Sequence, residues 1–362
     1  MQSRLQVVYR VRSDAQSIDE RARAIAVEQS VEMPVAAIDD AHVQNEIVGR
    51  VLAVEDIGGG TFEVRIALAA ETVAADAGQL INMLFGNTSI HDDVILHDVE
   101  FPPALAAAFG GPHHGLHELR RRVGAPRRAL TCSALKPQGL AAEKLAELAR
   151  RFAQGGIDYI KDDHGLADQA YSPFQARVQV IAAALRALGG PTRYVPSLSG
   201  DLDAMRAQIA FARGAGIDMV MIAPMIAGLA NFHRLVRDNP DLAFLAHPAL
   251  VGARMSPPLL YGKIFRMLGA DAVVYPNHGG RFGYSADTCR LIARTALEER
   301  DGMRPCVPVP AGGMTTDRVG EMLDFYGADI MLLIGGGLLA ARERLAGETA
   351  AFVAAVKDYR YG

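Results

Sequence analysis

Apolar and polar residues alternate through residues 5–11 and 61–69, which predicts strands, each with one face buried. Residues 14–28 and 74–85 instead repeat their apolar positions at helical spacing, the first with Ser13 or Asp14 as a candidate N-cap. The run 47–54 reads as a strand joined to 61–69 through Gly58-Gly59-Gly60, and 93–99 as a closing strand. The order strand, helix, strand, strand, helix, strand is that of a ferredoxin-like α+β domain, expected over residues 1–112.

Between about 105 and 128 the periodicity lapses. Pro102-Pro103, Gly110-Gly111-Pro112 and His113-His114-Gly115 punctuate a segment expected to be a connector. Beyond it, short apolar runs alternate with helical stretches. The runs are 129–135, 157–160, 193–197, 217–223, 242–246, 271–275, 306–309 and 329–334; residues 141–154, 173–188 and 202–215 are among the helices. Eight strand–helix units predict a (β/α)8 TIM-type barrel over residues 125–362. A doubly wound open sheet is the alternative, but it rarely runs to eight consecutive units, and no G-x-G-x-x-G follows the first strand.

A barrel places its chemistry where the strands end, so the residues leaving each strand form the candidate site. The second strand, apolar to Ile160, ends in Lys161-Asp162-Asp163-His164. Such a concentration of charge at a buried strand end must pair or bind something, and carboxylate and imidazole are metal donors; a solvated loop is the simpler reading. The first strand ends in Lys136-Pro137, where a lysine serves as acid/base, Schiff-base former or anion contact unless it is a structural ion pair. His247 after the fifth strand and His278 after the sixth are candidate proton carriers, though each alone reads as an ordinary core histidine. Gly312-Gly313 and Gly335-Gly336 follow strands seven and eight, where barrel enzymes commonly hold phosphate on backbone N–H groups; either pair alone reads as a turn. His113, His114 and His117 receive no role.

Half of the residues are apolar, Trp is absent and the net charge is −4, so nothing draws the chain to nucleic acid. Arginines at 120–122 and 127–128 read as a solvated connector. No apolar run reaches the ~18 residues of a membrane span, and no leader is expected before the first strand. Cys132, Cys289 and Cys306 form neither a disulfide framework nor a metal spacing, which fits a reducing, cytoplasmic setting.

Four segments together resemble the RuBisCO large-chain superfamily. They are Gly155-Gly-Ile-Asp-Tyr-Ile-Lys161-Asp-Asp163-His164, Leu135-Lys136-Pro137-Gln138-Gly139-Leu140, Ala311-Gly312-Gly313-Met314 and Ile334-Gly335-Gly336-Gly337. The resemblance spans nearly the whole chain, in order and on the expected strands, and points to a type IV, or RuBisCO-like, protein. It implies a carbamylated lysine at Lys161 that, with Asp163 and residue 164, holds Mg2+ against an enediolate. It further implies that Lys136 moves protons at the substrate carbons and that His247 lies in the active site. Glu28 and Gly86-Asn87 would complete the partner subunit's site in a homodimer.

The departures narrow the function. His164 stands where the family has glutamate, Pro248 where it has an arginine and Val274 where it has a histidine for a second phosphate. Gln138 replaces a second lysine, and the loop after strand six lacks the family's lysine, Arg281 being its nearest cation. A bisphosphate would lack its partners, so CO2 fixation is not expected. The expectation is an enediolate-forming enzyme on a singly phosphorylated, sugar-derived substrate, with decarboxylation of 3-oxo-isoapionate 4-phosphate narrowly preferred. The alternatives are isomerisation of 5-methylthioribulose 1-phosphate, the 2,3-diketo-5-methylthiopentyl-1-phosphate enolase reaction, and a catalytically silent scaffold.

Overall fold

The computed structural model describes residues 3–280, 282–299 and 302–361, and the chain separates into two units. The first comprises Met1–Gly110 with Val251–Leu260; the second comprises Gly111–Leu250 with Tyr261–Gly362. Among the described residues, no helix is long and apolar enough to cross a membrane.

In the first unit, β1 (Arg4–Arg12), β2 (Arg50–Gly58), β3 (Thr61–Ala69) and β4 (Val94–Glu100) form an antiparallel sheet in the order β2-β3-β1-β4. That is the ferredoxin-like order expected. Alternation places Leu5, Val7, Tyr9 and Val11 in the core with Phe62, Val64, Ile66 and Leu68. Helices Ile18–Glu28 and Ala77–Phe85 add Ala22, Ile25, Leu80 and Leu84 to that core. Both start later than the periodicity suggests. The Asp14 carboxylate accepts from the backbone N–H groups of Gln16 and Ser17, each at 2.9 Å, and holds a turn there. Ala74 and Ala75 have φ of +51° and +52°, so the second helix begins only after the Asp76 cap.

The second unit is an eight-stranded parallel barrel with helices, as expected. Its strands are β5 (Leu130–Leu135), β6 (Tyr159–Asp162), β7 (Arg193–Val195), β8 (Met219–Ile222), β9 (Ala243–Ala246), β10 (Ala272–Pro276), β11 (Val307–Ala311) and β12 (Met331–Leu333). They run in the order β7-β6-β5-β12-β11-β10-β9-β8, and a parallel bridge between Ser197 and Met221 joins the two ends. Cys132, Tyr159, Met219, Met221, Leu245, Val274, Val309 and Leu333 fill the interior. Strands so covered read as unbroken apolar runs.

The expected connector is instead structured. Helices Pro103–Phe109 and Gly115–Arg122 occupy it. Leu116, Leu119 and Val123, spaced three and four apart, pack against the barrel interior. The arginines read as solvated are largely tied down. Arg120 donates to Ala328 O at 2.7 Å, Arg122 to Asp218 O at 2.7 Å, and Arg128 grips Asp158 at 2.6 and 2.7 Å. They pin this helix to the end of the barrel where the strands begin, which the local polarity of the sequence conceals.

Candidate active site

Side chains on β6 alternate between the barrel interior and the helix layer, and this divides the charged run at its end. Asp162 turns outward, fully buried. Its carboxylate accepts from Arg177 Nε at 3.1 Å, Tyr194 OH at 2.7 Å and the Ser197 N–H at 3.0 Å. It is structural. Lys161, buried above Tyr159, donates to Asp162 O at 2.9 Å. Burial first of all pushes its pKa down, opposed by the charge of Asp163 and reinforced by that of Lys136.

Asp163 is the hub. Its N–H donates to Leu135 O at 3.2 Å, which holds the ends of β5 and β6 together. Oδ1 accepts from Lys136 Nζ at 2.5 Å and lies 3.3 Å from His164 Nδ1. Burial favours the protonated carboxyl, but the bonds to His164 and Lys136 outweigh it and hold Asp163 well below the usual carboxylate range. The Lys136–Pro137 peptide is cis.

His164 stacks on His247 with ring centroids 4.5 Å apart and planes 9° from parallel. The His247 N–H donates to Ile222 O at 2.8 Å, and its Nδ1 accepts from the Ala249 N–H at 3.2 Å. Neutral His247 therefore carries its ring proton on Nε2. Burial, then the charges of Lys161 and His164, push its pKa down to about 2. Five residues picked from the sequence, Lys136, Lys161, Asp163, His164 and His247, thus form one group.

The glycine loops form a second group. Asn277 N–H donates to Ala311 O at 2.9 Å and aligns the loops after β10 and β11. Their backbones then touch: a Cβ on Gly313 would meet Gly280 Cα at 3.0 Å, and one on Gly280 would meet Gly312 O at 3.0 Å. Gly312 and Gly313 adopt φ of +89° and +66°, which disfavour other residues. Around Gly335 and Gly336 a Cβ would meet nothing within 4 Å, so that backbone is open. His278 packs on Phe325 with centroids 4.5 Å apart, and its buried Nε2 has no hydrogen-bond partner among the described residues. Burial, then Arg318, lowers its pKa. Tyr326 lies beside the same ring, at 6.4 Å between centroids.

Glu28 and Asn87 meet in the first unit. Asn87 Nδ2 donates to Glu28 Oε1 at 2.8 Å and to Glu32 Oε1 at 3.2 Å, beside a cavity of about 150 Å³. Val274 is buried in the barrel core, and Gln138 covers Gly165; Arg281 lies outside the described residues. Sequence reading overlooked Arg318, whose Nη1 donates to Gly313 O at 3.0 Å. Its five-residue spacing from Gly313 was the available signal.

Among the described residues, no three His, Cys, Asp or Glu side chains group as a metal cluster. Asp163 and His164 would offer two donors to a divalent ion, and Lys161, a cation in its ammonium form, would offer a third only as a carbamate, whose formation needs the uncharged amine that burial favours.

Comparison with known proteins gives the family. A 5-methylthioribulose-1-phosphate isomerase of Rhodospirillum rubrum is 57% identical over 362 residues, covering 98% of this chain and 97% of its own. Ribulose bisphosphate carboxylase-like protein 1 of Rhodopseudomonas palustris is 54% identical over 364 residues, 99% of each chain. A crystal structure of a Rubisco-like protein from Rhodopseudomonas palustris superposes with a TM-score of 0.93 at 48% identity, covering 100% of both chains. The family model for the ribulose bisphosphate carboxylase large chain, catalytic domain, matches residues 115–357. The chain belongs to the ribulose bisphosphate carboxylase large-chain family, as a RuBisCO-like protein.

Proposed function

We propose that this protein is an isomerase of 5-methylthioribulose 1-phosphate, working through an enediolate. The observation that carries the reading is the full-length 57% identity to an isomerase of that name. Decarboxylation of 3-oxo-isoapionate 4-phosphate, narrowly preferred from the sequence, has no such support and gives way to isomerisation.

The geometry suits a proton transfer beside a carbonyl. Asp163, which stays ionised, orients Lys136 through Oδ1, 2.5 Å from Nζ, and the lysine gives its proton to solvent before it acts as a base. The free amine takes the proton from the hydroxyl-bearing carbon next to the carbonyl and returns it to the former carbonyl carbon, while the hydroxyl proton moves to the former carbonyl oxygen, so that the carbonyl shifts one carbon along the chain. His247, with Nδ1 engaged by Ala249, presents Nε2–H to the oxygen on which charge develops. When bound, a Mg2+ held by Asp163, His164 and a carbamate on Lys161 would add positive charge beside that oxygen. Gly312, Gly313, Gly335 and Gly336 hold the single phosphate on backbone N–H groups. In the homodimer of this reading, Glu28 and Asn87 contribute to the partner's site.

Turnover of 5-methylthioribulose 1-phosphate and of 3-oxo-isoapionate 4-phosphate, followed by ³¹P and ¹H NMR with and without Mg2+ and bicarbonate, tests the proposal. A relocated carbonyl without gas release supports the isomerase. CO2 release from the second substrate restores the decarboxylase, and silence on both rejects each.

A further inference from the structure

We infer that Arg318 is a positioning residue that braces the glycine loops after β10 and β11 and thereby sets the affinity for the substrate's phosphate. The inference rests on the phosphate reading above. Where these loops meet, Gly280 and Gly313 face each other backbone to backbone, with no side chain to interlock them. Such a contact gains little packing energy and leaves the loops free to shift relative to each other.

Arg318 supplies what the glycines lack. It ends a short 3-10 turn, Thr316–Arg318, that leads into helix Val319–Tyr326. Nη1 donates to Gly313 O at 3.0 Å, while a Cβ on Gly279 would lie 3.7 Å from Nη2 and 3.9 Å from Nη1. One guanidinium therefore lies against both loops. Glu321 fixes its orientation by a two-pronged pair, Nε to Oε2 at 2.9 Å and Nη2 to Oε1 at 2.8 Å. With Glu321 neutralising it, Arg318 acts through geometry more than through free positive charge. Positioning of this kind matters because small displacements of binding groups have large effects.

Binding of inorganic phosphate to the full-length protein, measured by calorimetry, tests the inference without any assumption about the substrate. Arg318→Ala is expected to weaken phosphate binding about tenfold. Arg318→Lys keeps the charge but loses the fork, and is expected to restore little of it. Glu321→Gln is expected to weaken binding too, by a smaller factor. These three results support bracing. Three others overturn it: wild-type affinity in Arg318→Ala, full rescue by Arg318→Lys, or tighter binding in Glu321→Gln, which would mark Arg318 as a direct phosphate cation. A wild-type protein that binds no phosphate also overturns it. If 5-methylthioribulose 1-phosphate is not turned over but phosphate binding responds as expected, the substrate reading fails and the brace stands. With a turned-over substrate, KM rises with the phosphate dissociation constant while kcat stays within about twofold.

Discussion

His164 and His247 stack face to face, 4.5 Å between ring centroids and 9° from parallel, although they leave different strands of the barrel. Two imidazolium ions could not share that spacing without strong repulsion. Burial, Lys161 and His164 keep His247 neutral down to about pH 2.

That neutrality carries a sign for stability. Unfolded, the imidazole takes up a proton below its ordinary value of 6.5; folded, it does not until about 2. Across this window the unfolded chain binds more protons, so the native state loses stability as pH falls. In His247→Gln this contribution is absent. Its stability deficit relative to wild type should shrink by at most ~1.4 kcal/mol per pH unit on acidification. Denaturant melts of both proteins between about pH 7 and about pH 4 measure the gap, and a constant gap rejects the neutral, buried ring.

Lys136→Met removes the proposed proton carrier and leaves the fold intact, because the lysine side chain is 38% exposed. Turnover should fall by about 10²–10⁴-fold with unchanged circular dichroism and gel-filtration behaviour. Retained turnover takes Lys136 out of the mechanism.

His164→Glu replaces imidazole by a hard oxygen donor. With a carbamate on Lys161, Mg2+ should bind several-fold tighter in bicarbonate buffer, by calorimetry, and ¹³C NMR should show the carbamate carbon. Unaltered Mg2+ affinity means that the site has left the carbamate architecture.

Gly336→Ala separates cradle from fold. Its Cβ meets nothing within 4 Å, so Tm should move by no more than about 2 °C while KM rises several-fold. Gly313→Val, at φ +66° and with its Cβ 3.0 Å from Gly280 Cα, should lose stability as well as affinity. An unchanged KM in either variant removes that loop from phosphate binding.

Arg177→Met should be costly in another currency. Arg177 and Asp162 are both 0% exposed, with Nε 3.1 Å from Oδ2. Removing the cation strands a buried carboxylate, which burial already pushes toward protonation, at a cost of roughly 3–5 kcal/mol. Urea denaturation measures it; a loss below about 1 kcal/mol would mean that Tyr194 and the Ser197 N–H suffice for a protonated Asp162.

The barrel was legible because each parallel strand, covered on both sides, announces itself as an apolar run such as 157–160, and because its ends alone tolerate charge. Lys136, Lys161, Asp163, His164 and His247 were legible for the same reason. The helix Gly115–Arg122 was not: its three consecutive arginines look solvated, and only the barrel's end supplies Ala328 to Arg120 and Asp218 to Arg122, while Arg121 pairs with Glu118 of its own helix.

By itself, the sequence determined the order of elements, the two-part organisation into a ferredoxin-like sheet and a barrel, and the chemistry collected at the strand ends. These follow from periodicity, which is local. Only the tertiary structure decided that Asp162 is bound by Arg177 and Tyr194 while Asp163 meets Lys136 and His164, that the glycine loops after β10 and β11 touch, and that Arg318 spans them. Adjacent carboxylates are alike in sequence; the pleat of β6 turns one outward onto Arg177 and leaves the next to meet Lys136. Such partners come from distant segments, and folding alone brings them within hydrogen-bond reach.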